Sequence, residues 1–318
     1  MPRSIDSQHR PDTTLQFLKQ FQRLLRESNF TMSYKFAMLK ALCDMAIELP
    51  DGERAISIDA LADRFILIYW EQSREFAGAD LNHGGGAKTP SRAITLAKEW
   101  RAGFGNNFWR MQQSPHIVVA RSEMRALIRR DVLWRLQPPG ERPFIYRHAP
   151  RADHIQLVQG AIEAMRELHM LLSDLIESQW TRWIQRRNPA IVSENTLRDH
   201  LFGIHRRQIR RIVPRLLELQ DGRSFYSDKE LHSHSVHVDH FIPWSVSRHD
   251  ALGNLVLCTA NENIRFSDSL KPAKLRKSWE RRNSELAKEL ASRARAAGLR
   301  WDPSATAAVA AWAYRTAS

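Results

Sequence analysis

Val236-His237-Val238-Asp239-His240-Phe241-Ile242-Pro243-Trp244 is followed, after a loop, by Asn254-Leu255-Val256-Leu257-Cys258 and then by Thr259-Ala260-Asn261-Glu262-Asn263. In the first run, alternation puts Val236 and Val238 on one face of an extended segment and His237, Asp239 and Phe241 on the other. Pro243 has no backbone donor and ends that strand. The apolar second run predicts another strand. Thr259, with Glu262 three residues on, reads as a capping box that opens a helix. Ahead of the first strand, Asp221-Gly222 and Ser224-Phe225-Tyr226-Ser227 predict a short, turn-rich hairpin. The stretch 220–272 is therefore read as β–β–α inside a chain whose other apolar spacing is mainly helical.

That order places chemistry-bearing side chains together. Phosphodiester cleavage needs an activated water and a group to hold the charge that grows on the phosphate and the leaving oxygen. A histidine supplies a base that titrates near neutrality. A carboxylate and an amide oxygen supply hard ligands of the kind Mg²⁺ prefers, with water and phosphate filling its other positions. Asp239 and His240 are neighbours on an extended segment, so one side chain is free to face a metal and the other the water. Asn263 falls on the first turns of the helix, which can fold back over the hairpin.

Asp239-His240-Phe241-Ile242-Pro243-Trp244, Asp250, Asn254-Leu255-Val256-Leu257, Asn261-Glu262-Asn263 and Ser267-Asp268 together resemble the HNH (ββα-metal) endonuclease pattern. Asn254 lies 14 residues and Asn263 lies 23 residues after His240, a spacing similar to that of the HNH domain of the RNA-guided CRISPR nucleases, where Asn replaces the last His. The resemblance implies His240 as general base and Asp239 and Asn263 as metal ligands. It also implies that Asn254 holds the catalytic loop through its backbone, that Mg²⁺ (or Mn²⁺) is the cofactor and that DNA is the substrate. Two departures accompany it. Many HNH proteins bind a structural zinc with cysteine pairs, one of them Cys-Phe-Tyr-Cys. Here Ser224 and Ser227 stand in those places, so no structural zinc is expected. Phe266 stands where the family often has Lys, leaving Arg265 to cover the charge.

Rival readings of the same residues are a zinc or nickel site among His232, His234, His237, His240 and His249, a nucleic-acid-binding protein whose HNH fold no longer cleaves, and an RNA-directed or toxin-like nuclease. The histidine site lacks the parity and the spaced pairs that a tetrahedral metal needs.

Outward from this stretch the chain is basic, with 48 Lys and Arg against 35 Asp and Glu and a formal charge of +13 over 318 residues. Such a balance points to a polyanionic partner. Arg206, Arg207, Arg210, Arg211 and Arg215 fall within ten positions, and beside a nuclease motif they read as phosphate-tracking. Arg265, Lys271 and Lys274 are read the same way. Two cysteines, Cys43 and Cys258, exclude a disulfide framework and suit a reducing, cytoplasmic setting. The N-terminus has no signal-like apolar run, and Phe65–Trp70 is too short to span a membrane. His83-Gly84-Gly85-Gly86-Ala87-Lys88-Thr89-Pro90 lacks the Gly-Lys-Ser/Thr adjacency and the preceding strand of a phosphate-binding loop, and reads as a connector.

The expected class is mainly α with a small α+β module (ββα-metal, HNH) near the C-terminus. The expected organisation is a tail (1–12), an N-terminal helical domain (13–82), a linker and mixed region (83–150), a helical region with the Arg-rich helix (151–216), the nuclease module (217–280) and closing helices (281–318). Within it, His116–Ala120 and Phe144–Tyr146 are expected as strands, and one long helix is expected to run from Ile155 through Trp180. Residues 1–215 are expected to serve targeting, binding of a regulatory protein partner or restraint of the nuclease. By analogy the setting is a prokaryotic defence or mobile-element system.

Overall fold

The structure is a computed structural model that describes residues 11–27, 31–84, 90–137, 142–191, 193–203, 206–232 and 236–316, with backbone alone for 11, 12, 27 and 206–211. The chain is mostly helical with small antiparallel sheets. At its centre is α2 (Tyr34–Glu48), which buries Phe36, Met38, Leu39, Leu42, Cys43 and Ala46 around its whole circumference. A helix apolar on every side must be enclosed. It is wrapped by α3 (Ile58–Gln72), α7 (Gln159–Glu167) and α8 (His169–Arg187). The helix α1 (Pro11–Glu27) lies on α7. Ser57 caps α3 by accepting from Ala60 N at 3.0 Å.

The described part of residues 83–150, expected as a linker and mixed region with short helical stretches, carries helices that join the core. There α4 (Arg92–Phe104), α5 (Phe108–Gln112) and α6 (His116–Leu127) add Leu96, Trp100, Met111, Met124 and Leu127 to the same core as α2 and α3. His116–Ala120, expected as a strand, is the start of α6. Its β-branched Val118 and Val119 are exposed, while Ala120, Met124 and Leu127 carry the buried face at helical spacing. The expected long helix is interrupted. His154–Leu157 forms β3 between β1 (Ala55–Ser57) and β2 (Tyr146–Arg147), and α7 breaks at Leu168 before α8 begins. Asn188 then caps the end of α8, and its amide donates to Ile184 O.

The C-terminal part follows α9 (Glu194–Phe202) and α10 (Arg206–Leu219). It comprises β4 (Val236–His240), α11 (Trp244–Ser247), β5 (Leu255–Thr259), α12 (Ala260–Phe266), α13 (Ala273–Glu285), α14 (Ala287–Ala297) and α15 (Pro303–Thr316). The β4–β5 hairpin is covered on both faces. Leu255 and Leu257 pack with Ile212, Leu216, Leu290 and Ala294 on one side. On the other, Val256 and Phe241 pack with Trp279, Val309 and Ala313, together with Ile47 from α2. Among the described residues no helix is long and apolar enough to cross a membrane.

Candidate active site

The hairpin is antiparallel, with His240 opposite Leu255 and Asp239 opposite Val256. The outer edge of β5 is closed by the preceding turn. Gln220 donates to and accepts from the Leu257 backbone (3.0 and 2.9 Å), and Phe225 N donates to Leu257 O (2.9 Å). The backbone turns at Asp221 and Gly222, both with positive φ, and again at Asp228. α12 opens on the capping box that the sequence predicts: Thr259 Oγ1 accepts from Glu262 N, and the Glu262 carboxylate accepts from Thr259 N.

Asn254 is fully buried, and its amide is bonded at every position. Nδ2 donates to Ile242 O and to His249 O, both at 2.9 Å, and Oδ1 accepts from Ile242 N at 2.7 Å. It thereby ties the end of β4 to the far side of the loop. α13 holds the same turn from below. Trp279 Nε1, Arg282 Nη2 and Asn283 Nδ2 all donate to Gly253 O, and Arg282 Nη1 donates to Leu255 O.

Asp239 is 6% exposed and shares its Oδ2 between the half-buried Tyr226 and the buried Lys271. The Tyr226 hydroxyl donates to it at 2.5 Å and the Lys271 ammonium lies at 3.3 Å. Burial, with the Asp239 charge beside it, pushes the Tyr226 phenol far above its ordinary value, so it stays a donor. Burial lowers the Lys271 ammonium against the opposing pull of Asp239. Lys271 also donates to His240 O and Phe266 O, both at 3.2 Å. Among the described residues Asp239 Oδ1 accepts no hydrogen bond.

His240 points away from that pair. Its Nε2 donates to Asp250 Oδ1 at 2.8 Å, and its ring lies 5.4 Å from Trp244. Asn263 lies on α12 one turn before Phe266, on the same helix face. The Phe266 ring packs 4.6 Å from Tyr226, the residue bonded to Asp239. The Asn263 amide is half-buried and makes no hydrogen bond with a described residue.

A carboxylate oxygen and an amide oxygen without hydrogen bonds are, in their chemistry, hard donors of the kind that Mg²⁺ or Mn²⁺ takes. The Lys271 ammonium already matches part of the Asp239 charge, which bears on how tightly any cation is held. Among the described residues no three His, Cys, Asp or Glu side chains are grouped to hold a metal. His240 and His249 in particular are engaged separately, His249 with Thr306 Oγ1 at 2.9 Å.

Ser224, read as standing in a zinc-ligand position, donates to Glu262 at 2.6 Å, and Thr259 Oγ1 donates to the same oxygen at 2.9 Å. Burial works to raise the Glu262 carboxyl, yet hydrogen bonds from Ser224, Ser227 and Thr259 hold it below its ordinary value. The turn and the helix are thus clasped by a carboxylate.

Of the residues expected to contact phosphate, Arg265 and Lys274 are exposed. Lys271 is a correction: it is 1% exposed and turned inward to Asp239, out of reach of an external strand. Arg206, Arg207, Arg210 and Arg211 open α10, but their side chains lie outside the described residues, as does His234. Sequence reasoning also missed the bonds of Tyr226 to Asp239 and of Asp250 to His240. Asp250 stood within the motif, so its carboxylate was the one visible signal.

An HNH endonuclease family model matches residues 224–270, a segment of the chain that spans the hairpin, α12 and the loop to Leu270. No curated protein and no solved structure matches the chain. The match assigns the segment nuclease chemistry on nucleic acid in general terms, and HNH nucleases as a class depend on a metal ion.

Proposed function

We propose that the protein is a metal-dependent endonuclease that hydrolyses phosphodiester bonds in DNA, with His240 as the general base. The observation that carries this reading is the His240–Asp250 pair at 2.8 Å, one residue from the Asp239 carboxylate at the end of β4. An ionised Asp250 can only accept, so Nε2 carries the proton and Nδ1 keeps its lone pair. His240 then takes a proton from water at Nδ1, and Asp250 steadies the imidazolium that forms. Asp239 and Asn263 would hold one Mg²⁺ or Mn²⁺, which when bound stabilises charge on the phosphate and the leaving oxygen. Asn254 keeps the His240 loop in register with β5 through Ile242 and His249. Arg265, Lys274 and the arginines of α10 supply the phosphate-tracking charge.

A second reading, a nucleic-acid-binding protein with an inactive HNH fold, draws on one observation: Lys271 already matches the Asp239 charge. Supercoiled-plasmid cleavage with Mg²⁺, Mn²⁺ or EDTA, beside His240→Ala, separates the two. The proposal expects metal-dependent nicking that the variant loses while DNA binding persists. Binding without cleavage in either metal would favour the second reading.

A further inference from the structure

Where the start of α2, the start of α4 and the segment after α6 come together lies a cleft of about 630 Å³, a volume in the range of ligand sites. Among the described residues its wall carries the cations Lys35, Arg92, Arg130 and Arg135 and one carboxylate, Asp131. Asp131 serves two of the four, at 2.8 Å from Arg130 and 3.8 Å from Arg135. Arg92 pairs at 3.4 Å with Glu99 and Glu123, which lie off the wall. Burial, with the Arg135 charge beside it, lowers the Lys35 ammonium from its ordinary value. Like charges are thus gathered in one cleft, an arrangement that an anion relieves. Arg92, Arg130 and Arg135 are exposed. Ion pairs at such positions contribute little, so a phosphate can exchange for a carboxylate at small cost.

An aromatic ring stands on the same wall. Trp134 is 56% exposed, yet it is held in place. Its Nε1 donates to Arg130 O at 2.5 Å, and the Arg135 guanidinium lies 4.4 Å over the ring. An indole fixed in this way offers a stacking surface with little ordering left to be lost on binding. Directly ahead of it the backbone is unusual as well. Ile128–Val132 forms a π-helical turn, with Leu133 N donating to Ile128 O at 3.1 Å. Such turns are rare and concentrate at functional sites.

Cations that hold phosphates and an open aromatic surface that takes a base are the two parts of a single-strand site. We infer that this cleft binds a single-stranded segment of nucleic acid, with its phosphates at Lys35, Arg130 and Arg135 and a base on Trp134. A duplex fits less well, since its bases are stacked on one another and present no face to Trp134. The helical body then has a hold of its own on nucleic acid, apart from the HNH segment. That the strand held here is the one cut at His240 rests on the nuclease reading; the cleft, its charge and its exposed indole do not.

Binding in EDTA tests this without requiring cleavage. The probes are a single-stranded oligonucleotide, the same strand with abasic nucleotides throughout its centre, free AMP, and vesicles that contain phosphatidylserine. The variants are Trp134→Ala and Arg130→Gln, both at exposed positions, with folding checked by thermal melting. Trp134→Ala is expected to bind the base-bearing strand roughly tenfold more weakly, as for one lost stacking contact, and the abasic strand as the parent does. Arg130→Gln is expected to weaken binding of both strands and to lower the salt slope by about 0.7, as for one lost phosphate contact. Equal affinity of the parent and Trp134→Ala for the base-bearing strand would overturn the inference, as would an unchanged salt slope in Arg130→Gln. Variant-sensitive binding of AMP or of the vesicles, with no such effect on the strand, would overturn it in favour of a free nucleotide or an anionic membrane. If plasmid cleavage fails while the Trp134 effect persists, the nuclease reading falls and the strand site stands. Nicking by a protein whose strand binding ignores both variants gives the reverse.

Discussion

His240 donates a hydrogen bond from Nε2 to Asp250 at 2.8 Å, and in the proposed reaction that contact leaves Nδ1 as the nitrogen that would act as base. Asp250 is a positioning residue, so Asp250→Asn should lower kcat by roughly tenfold or more with KM little changed. Asp250→Glu, which can still accept from Nε2, should recover part of the loss. A rise in KM with kcat intact would instead place Asp250 in strand binding. Lys271 makes a second prediction. Lys271→Met leaves the Asp239 carboxylate buried without its cation, a change that costs about 3 kcal/mol or more. The variant should melt lower than the parent, and added Mg²⁺ should raise its melting temperature more than the parent's. An equal response would mean that Asp239 does not face a cation site. Order and spacing in the sequence were enough to expect Asp239 and His240 on β4 and Asn263 on α12, although the roles proposed for them come from the resemblance. Lys271 was not legible in that way. In the sequence it opens a cationic run that includes Lys274, Arg276 and Lys277, and only the fold of the 267–271 loop turns it inward while Lys274 stays out.

At the scale of elements, the join between the Ser224–Ser227 turn and α12 rests on one carboxylate. Glu262 accepts from Ser224, from Thr259 Oγ1 and from Thr259 N, and these bonds hold its carboxyl below the ordinary range against the effect of burial. A carboxyl depressed in the folded state stabilises the fold above its unfolded value, near 4.3, and that contribution is lost as pH falls through the folded value. Glu262→Gln should therefore melt lower than the parent near neutrality, and the gap should narrow on acidification from pH ~6 to ~3. Parallel melting curves across that range would remove Glu262 from the clasp. The capping box behind this contact was visible in the sequence, because both partners lie within one turn. The serine contacts were not, since they cross 38 positions of chain from Ser224 to Glu262. The same division explains the errors elsewhere. Ile117-Val118-Val119 carries strand propensity, yet burial of Ala120, Met124 and Leu127 against α3 selects a helix. The short β3 hides inside helical spacing because Ile155 falls in step with Val158 and Ile162, while the Ile155 and Leu157 alternation of a strand covers only four residues.

Across the whole molecule, the helical body and the C-terminal part that carries the HNH match share buried charge and core. Arg300 binds Glu48 of α2 through both nitrogens, at 2.7 and 3.0 Å. Arg248 reaches Asp174 and Glu177 of α8, and Ile47 packs with Phe241 and Trp279. Two histidines lie in this seam. His169 bonds Ser247 O at 3.3 Å and packs edge-on against Trp312, while His249 bonds Thr306 and faces Glu48, Arg64, Arg300 and Asp302. Burial depresses both to about 4, aided at His249 by Arg300 and opposed at His169 by Asp44. His83, buried in the helical body, is depressed by burial to about 3. A histidine lowered in this way is neutral in the folded chain, while the unfolded chain takes up its proton near pH 6.5. The unfolded state therefore binds more protons between about 6.5 and about 4, and stability falls as pH is lowered through that window. At about 1.4 kcal/mol per unit, His249 alone accounts for about 2 kcal/mol of loss between pH ~7 and ~5. His249→Gln retains a side chain able to bond Thr306 but does not titrate, so its denaturant midpoint should drop less over that interval than the parent's. If both lose the same stability, the seam is not what acid loosens, and the basic surface becomes the place to look.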